Sequence, residues 1–267
     1  MKTGFFYSKN EIPSYECPLC QNGTMLPEIE GMFVRQTGES IALSKLDKSC
    51  WEESFHTELL RVDMCCSNQE CGEVGVLIML GELFPPDEHQ SEAEVFFRPI
   101  FVTPAPLFFK LEDEYPISIN KIAKEAFSLF WSDPAACGNK IRVGVEVLMN
   151  EQGIDKECKD KNGIPRLSKK GRPKPISLHN RIEEFKKLGS TKSVCASALE
   201  SIKWLGNESS HSNNEIIKDV VYRAIMVFGA VLAQLYKNTP LDKEVNYSIK
   251  NINFWYHPDE QKKWPQT

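Results

Sequence analysis

The pattern of hydrophobic and polar positions divides the chain into two kinds of sequence, with the change near residue 117. Before it, short apolar runs such as 31–35 and 73–80 alternate with Gly and Pro, which is typical of strands and turns. After it, apolar residues such as Ile119, Ile122 and Ala126 recur at three- and four-residue steps, which predicts amphipathic helices. The chain is therefore expected to be an α+β protein, with a small β-rich N-terminal region followed by helices.

Five helices are predicted in the C-terminal part. The second has Asp133 as its N-cap and Pro134 in its first turn, and the last begins at a capping box, Ser212-Asn213-Asn214-Glu215. The connections are short except for a loop at 153–176 that is rich in Gly, Pro, Lys and Arg. Short connections predict an antiparallel helical bundle. The helices begin near residues 117 and 133 and then run over 177–188, 191–205 and 212–236.

Proline spacing and aromatic content set the predicted boundaries. Residues 82–110 contain five prolines between aromatics, and since proline lacks a backbone donor, this stretch is predicted to be an extended connector. We place the β-rich region with its connector at 1–112, the bundle at 113–240 and an aromatic tail at 241–267. The tail contains Phe254-Trp255-Tyr256, so we expect it to pack on the N-terminal region. No internal repeat is evident.

Composition adds expectations about the compartment. The net charge of −5 gives no overall indication of nucleic-acid binding. No apolar run approaches the roughly 20 residues that span a bilayer, and the first eight residues are too short for a secretory signal. Nine cysteines without an export signal indicate a reducing environment. We expect a cytoplasmic protein with no membrane contact.

Two cysteine pairs predict a metal site. Cys17-Pro-Leu-Cys20 and Cys66-Ser-Asn-Gln-Glu-Cys71 each place two thiolates on a short turn, and zinc takes four such ligands tetrahedrally. Cys65 is the rival of Cys66, which is preferred because its turn is shorter. His56 is an alternative ligand. A site of four cysteines has no open position, so the expected zinc would be structural.

A second candidate site lies in Gly206-Asn207-Glu208-Ser209-Ser210-His211, just before the last predicted helix. Unpaired N–H groups and the macrodipole at a helix N-terminus favour anions, so Asn207 and His211 could meet a phosphate there. A histidine can also act as a general acid or base near neutral pH. Alternatively, Asn207 caps a turn and His211 donates a hydrogen bond across the bundle.

The loop at 153–176 provides a third candidate, a group of cations that could neutralise several phosphates. The alternative is a solvated loop, because no aromatic residues for base stacking lie among these cations. The candidate nucleic-acid-binding residues are Lys169, Lys170, Arg172 and Lys174.

Arg142 and Glu146 form a fourth candidate, one turn apart on the second predicted helix. They could form an ion pair at the i,i+4 spacing. Alternatively, Arg142 reaches across the bundle towards Asn207 and His211.

Four motifs occur in order behind the cysteine-containing head and its Pro-rich connector: Tyr115-Pro116, the run 135–146, Leu178-His179-Asn180-Arg181-Ile182, and the run 205–211. Over about residues 10–237 the chain resembles the bacterial domain-of-unknown-function family 4145. That family is similar to the HEPN (higher eukaryotes and prokaryotes nucleotide-binding) helical superfamily.

This resemblance implies a HEPN-like antiparallel bundle, a homodimer and a role in anti-phage or toxin–antitoxin defence. Active HEPN members are metal-independent ribonucleases with an Arg and a His four to six residues apart. The histidine moves a proton while the arginine steadies the phosphate. His211 and Asn207 match this pattern, but Gly206 stands where an active member carries Arg. Lys203 or Arg142 would have to substitute for that arginine.

Two hypotheses follow. In the first, the chain is a zinc-stabilised, homodimeric binding or assembly module of a bacterial defence system that recognises RNA, a nucleotide or a defence-system partner protein. In the second, it is a metal-independent endoribonuclease with His211 as acid or base, Asn207 beside it, and Arg142 or Lys203 on the phosphate. The basic loop would then hold the RNA backbone.

Overall fold

The computed structural model describes residues 6–45, 55–85, 93–211 and 217–261, without the side chains of 208–211, 259 and 261. It divides into two units, Met1–Leu107 and Phe108–Thr267. The first is an antiparallel sheet and the second is helical, so the expected α+β class is confirmed.

The N-terminal unit contains one antiparallel sheet with strand order β1-β2-β4-β5-β6, and β3 pairs with β4 off this path. A short helix, α1, follows β3, and the side chain of Thr37 caps its N-terminus by accepting from Ser40 N. The elements are β1 (Tyr15–Glu16), β2 (Thr24–Pro27), β3 (Phe33–Gln36), α1 (Gly38–Leu43), β4 (Thr57–Cys66), β5 (Val74–Phe84) and β6 (Glu94–Thr103).

The two long central strands supply the core of this unit. Leu60 pairs with Met79 and Val62 with Leu77, and all four are fully buried. These residues are two apart along each strand, so their side chains lie on one face of the sheet. Cross-strand apolar pairs of this kind are the basic unit of sheet stabilisation.

The predicted extended connector at 82–110 is wrong over much of its length, because β6 lies within it. Phe97 exchanges both backbone hydrogen bonds with Tyr7 on the side of β6 away from β5. Pro99, two residues later, therefore has its missing N–H on this same outer side, where the sheet needs no donor from it. A register shift opposite Ile78 and Met79 accompanies the proline.

The helical unit contains six longer helices and one short one among its described residues. Asp133 caps α3 as predicted, because its carboxylate accepts from Ala136 N at 2.8 Å. The helices are α2 (Ile117–Ser132), α3 (Pro134–Glu151), α4 (Leu178–Lys186), α5 (Ser190–His211), α6 (Lys218–Lys237), α7 (Lys243–Tyr256) and α8 (Pro258–Gln261).

Aromatic and aliphatic side chains of α2, α3, α5 and α6 form the core of this unit. Phe127, Ile141, Ile202 and Phe228 are each fully buried. Helix α7 lies on α5 and α6, where Ile252 is buried and Tyr256 Oη accepts from Ile217 N at 3.3 Å. Much of the aromatic tail is therefore a helix of this unit.

Helix α5 differs most from its predicted range, since it continues past Leu205 to His211. The predicted capping box at 212–215 lies outside the described residues. Described helix α6 begins at Lys218. Asn207 and His211 therefore lie in the last turns of one helix and not in a loop that leads into another.

Of the residues that the structure describes, α6 is the one helix long and apolar enough to cross a membrane, with a mean hydropathy of 1.4 over its apolar window. An apolar run of this length was not expected from the sequence. Half of the window is buried within the unit, as occurs in core helices.

Candidate functional sites

The four predicted metal ligands lie together. The sulfur atoms of Cys17, Cys20, Cys66 and Cys71 are all within 4.8 Å of one another. Cys17 Sγ lies 3.8 Å from Cys71 Sγ, and Cys20 Sγ lies 3.8 Å from Cys66 Sγ. Four thiolates placed tetrahedrally at about 2.3 Å from a zinc ion would be roughly 3.8 Å apart. The cluster therefore has the dimensions of a tetrahedral metal site.

The sheet brings the two cysteine turns together. Met25 of β2 pairs with Cys66 at the end of β4, which places the turn after β1 beside the turn after β4. Gly23 is needed at this junction, because a Cβ there would lie 2.5 Å from Cys66 Sγ. Gly72 ends the second turn with φ at 60°, a conformation that glycine adopts without strain.

The pKa values of Cys20 and Cys66 are shifted in opposite directions. Backbone N–H groups of Asn22 and Gly23 lower the pKa of Cys20 to about 6. Burial raises the pKa of Cys66 to about 12. A bound cation removes this conflict because it favours the thiolate at every position.

The structure decides between the rival ligands. Cys66 lies in the cluster, whereas Cys65 contributes no sulfur to it and lies 3.8 Å from the carbonyl oxygen of Cys66. His56 Nε2 lies 3.0 Å from Glu58 Oε1 instead of near the thiols. A metal bound by all four cysteines would have no open position for a substrate, so its expected role would be structural.

We expect about one metal ion per chain in elemental analysis of protein purified without chelator. Cys66→Ser should lose most of this metal and unfold at a lower temperature, since it removes one of four ligands. Cys65→Ser is the matched control and should keep both. Equal metal content in the two variants would contradict the assignment of Cys66.

Arg142 lies at the contact between α3 and α5. Its Nη1 pairs with Glu146 Oε1 at 3.0 Å, so the predicted i,i+4 ion pair is present. Its side chain also lies against Gly206, where a Cβ would come within 2.5 Å of Arg142 Cδ. The i,i+4 ion pair is therefore present, and the side chain of Arg142 also packs against Gly206 of α5.

One face of α5 carries a run of polar residues, Glu200, Lys203 and Asn207. Lys203 is only 4% exposed. Its Nζ donates to Glu200 Oε1 at 3.1 Å and lies 3.8 Å from the centre of the Trp204 ring. This ring is apolar but its face attracts cations, which helps to hold a buried ammonium.

His179 of α4 joins this group, although sequence reasoning did not single it out. Its Nδ1 lies 3.0 Å from Glu200 Oε1 and 3.3 Å from Lys203 Nζ. Burial alone would raise the pKa of Glu200, but hydrogen bonds from Lys203 and His179 outweigh it and lower that pKa. The signal available was the histidine within the motif at 178–182.

His211 is the last described residue of α5, and its side chain is outside the described residues. The end of a helix that favours anions is its N-terminus, which for α5 is at Ser190. The N-terminal dipole proposed from sequence is therefore not provided by α5 at His211. A phosphate in this place would need cationic side chains, and Arg142 is a described cation that packs against the neighbouring Gly206.

The predicted loop cations lie in the segment that connects α3 and α4. All four are exposed: Lys169, Lys170, Arg172 and Lys174. They belong to a different segment from the Arg142 contact, so the structure presents two separate cationic regions.

The helical unit also contains a cavity that the sequence did not indicate. It has a volume of about 760 Å³ and lies between α6, α7 and the segment that leads into α2. Gly229 faces Phe109 on its wall, and Arg223 lies over the ring of Tyr247 at 5.3 Å. Lys237 Nζ donates to Glu112 Oε1 at 2.7 Å at its rim. Its mixed lining would suit a small ligand with both polar and aromatic parts.

Two family models match the chain. Residues 124–252 match one described as Domain of unknown function (DUF4145), and residues 5–102 match one described as Domain of unknown function (DUF8608). The expected similarity to family 4145 is therefore confirmed for the helical part, while the head matches a separate model. No curated protein and no solved structure matches the chain.

Proposed function

We propose that this protein is an RNA-binding module of a bacterial defence system and that it binds RNA phosphate where α3 crosses α5. The observation that carries the proposal is the packing of the Arg142 side chain against Gly206, the residue before Asn207 in α5. This packing holds the partly exposed side chain of Arg142 at the contact of α3 with α5. Arginine and asparagine side chains are both ordinary partners of phosphate oxygens.

The exposure and hydrogen bonding of Arg142 would allow a phosphate to replace its carboxylate partner. Its side chain is 27% exposed, and Glu146, its present partner, is 38% exposed. Nε is buried and has no hydrogen-bond partner among the described residues. A phosphate offers three oxygens to the planar guanidinium and can replace a single, partly solvated carboxylate.

The wider assignment follows from the resemblance noted in the sequence. The helical unit is HEPN-like and forms a homodimer through the helix pair α5 and α6. The metal in the cysteine cluster is zinc, because four thiolates are the soft ligand set that suits it. A partner protein of the defence system would complete the assembly.

Arg142→Gln should weaken RNA binding by roughly tenfold or more, because a hydrogen bond to a charged group contributes about 1.5–3 kcal/mol. Lys140→Gln is the matched control. Lys140 lies on the same helix, carries the same charge and pairs with Glu125 at 2.9 Å. Fluorescence anisotropy with labelled RNA measures both affinities.

Circular dichroism would show that both variants are folded. An equal loss of affinity in the two would mean that only net charge matters. Unchanged affinity in folded Arg142→Gln would remove Arg142 from the binding surface.

The second candidate function is endoribonuclease activity. The observation in its favour is that Asn207 and His211 are four residues apart on one helix, with Arg142 packed against the preceding residue, Gly206. His211 would move the proton and Arg142 would stabilise the charge that develops on the phosphate. Lys203 is less suited to this role, because it is buried and paired with Glu200.

If this function is correct, purified protein should cleave total RNA in the presence of EDTA, and His211→Ala should abolish the cleavage while RNA binding remains. Gel electrophoresis of the RNA and a thermal melt of the EDTA-treated protein provide the readouts. Intact RNA at high concentration of folded enzyme would rule out the nuclease and leave the binding module.

A further inference from the structure

Residues 156–176, between α3 and α4, form a small folded unit that we call the three-arm module. Three backbone hydrogen bonds close a ring at its centre. Cys158 N donates to Lys174 O at 2.9 Å, Arg166 N to Cys158 O at 2.7 Å, and Lys174 N to Arg166 O at 2.8 Å. The three residues are eight positions apart, so the backbone has an approximate threefold repeat.

The surrounding contacts repeat with the same period. Lys159 pairs with Pro165, Leu167 with Pro173, and Glu157 with Pro175. Outside these bridges, Asp160 N donates to Ile164 O, Ser168 N to Arg172 O, and Ile176 N to Lys156 O. Adding eight to both residue numbers of the first contact gives the second contact. The third contact joins the last residues of the module to its first residues. Two arms end in turns, and the third connects to the bundle.

The sequence contains the matching repeat, which corrects the expectation that none is present. Asp160-Lys161-Asn162-Gly163-Ile164-Pro165 aligns with Ser168-Lys169-Lys170-Gly171-Arg172-Pro173. The two glycines have φ of 78° and 69°, a conformation that side chains rarely adopt. Asp160 Oδ1 accepts from Asn162 N at 2.8 Å and from Ile164 N at 2.9 Å, which stabilises the first turn.

The module is anchored to the bundle at its base. Arg181 of α4 is 5% exposed, and its Nη2 donates to Asn150 Oδ1 at 2.7 Å and to Ile154 O at 3.1 Å. These bonds tie the end of α3 and the start of the loop to α4. The two arm tips are therefore presented from an ordered base.

Charge is concentrated in this module. It contains eight Lys and Arg residues against two carboxylates, in a chain whose net charge is −5. Among the ion pairs of described residues, only Lys159 is paired, with Asp155. The cations at the two tips are exposed: Lys161, Lys169, Lys170 and Arg172.

We infer that the three-arm module binds the phosphate backbone of double-helical nucleic acid. This inference rests on the proposed nucleic-acid function and adds the form of the ligand. Single-strand binding relies on bases stacked on aromatic side chains, and residues 155–176 contain no aromatic residue. A duplex instead presents regular rows of phosphates, which two basic tips on an ordered frame can contact.

The test compares duplex RNA, duplex DNA and single-stranded RNA, each about 20 residues or base pairs long, which exceeds the roughly 16 base pairs spanned by a double-stranded-RNA domain. Anisotropy titrations of the full chain at about 50 and about 200 mM salt give affinities and salt slopes. We expect both duplexes, or one of them, to bind at least tenfold more tightly than the single strand. The preferred duplex identifies which nucleic acid supplies the phosphates.

Two variants separate charge from shape. Replacing Lys161, Lys169, Lys170 and Arg172 with Gln should abolish the duplex preference and reduce the salt slope by about 3–4, since each phosphate contact contributes about 0.9. The matched control replaces Lys121, Lys124, Lys186 and Lys187 with Gln and should leave the preference intact. Gly163→Val with Gly171→Val keeps every charge but disfavours both turns, and it should also abolish the preference.

Equal binding of single strand and duplex, or an unchanged preference in the tip variant, would overturn the inference. So would a preference that survives the two valines, because charge alone would then explain it. Failure of the proposed function is distinguishable, since Arg142→Gln would then leave RNA binding unchanged whatever the tip variant does.

Discussion

The close contact of α3 with α5 is the constraint on which the account of the helical unit depends. Gly206 has no side chain, so the stem of Arg142 can lie directly on α5. The side chain of Arg142 is thereby held against α5 at the residue before Asn207, while its Nη1 is paired with Glu146. Close packing leaves little room for other arrangements, because even one added methyl group would overlap the arginine. A cation held by packing in this way is partly preorganised for an anion, which lowers the entropy that binding must overcome.

The two units are stabilised by different interactions. The helical unit buries aromatic side chains such as Phe127 and Phe228 around several helices. In the N-terminal unit, the two central strands bury apolar side chains, and the two cysteine turns bring together four thiols that could bind a metal. The three-arm module has mostly exposed side chains, so its order rests on a ring of backbone hydrogen bonds and two glycine turns.

Local chemistry explains which features could be predicted from the sequence. The cysteine spacing, the Asp133 cap and the helical periodicity after residue 117 depend on neighbours in the chain, and the structure contains all three. Strand β6 was missed because its proline appeared to exclude pairing, whereas only its outer edge lacks a donor. The predicted helix ended at Leu205, whereas α5 continues through Gly206, where any side chain would overlap Arg142 of α3. The His179 group joins residues far apart in sequence, so the motif at 178–182 could point to the histidine but not to its partners Glu200 and Lys203.

Arginine side-chain NMR tests the central claim most directly, because it observes the guanidinium that is proposed to meet RNA. The Nε resonance of Arg142 can be assigned by its absence in Arg142→Gln and followed during an RNA titration. The account predicts a saturable shift of this resonance, while that of Arg181, which holds Asn150 and Ile154 within the fold, stays in place. An Arg142 resonance that does not move while RNA binds would contradict the account.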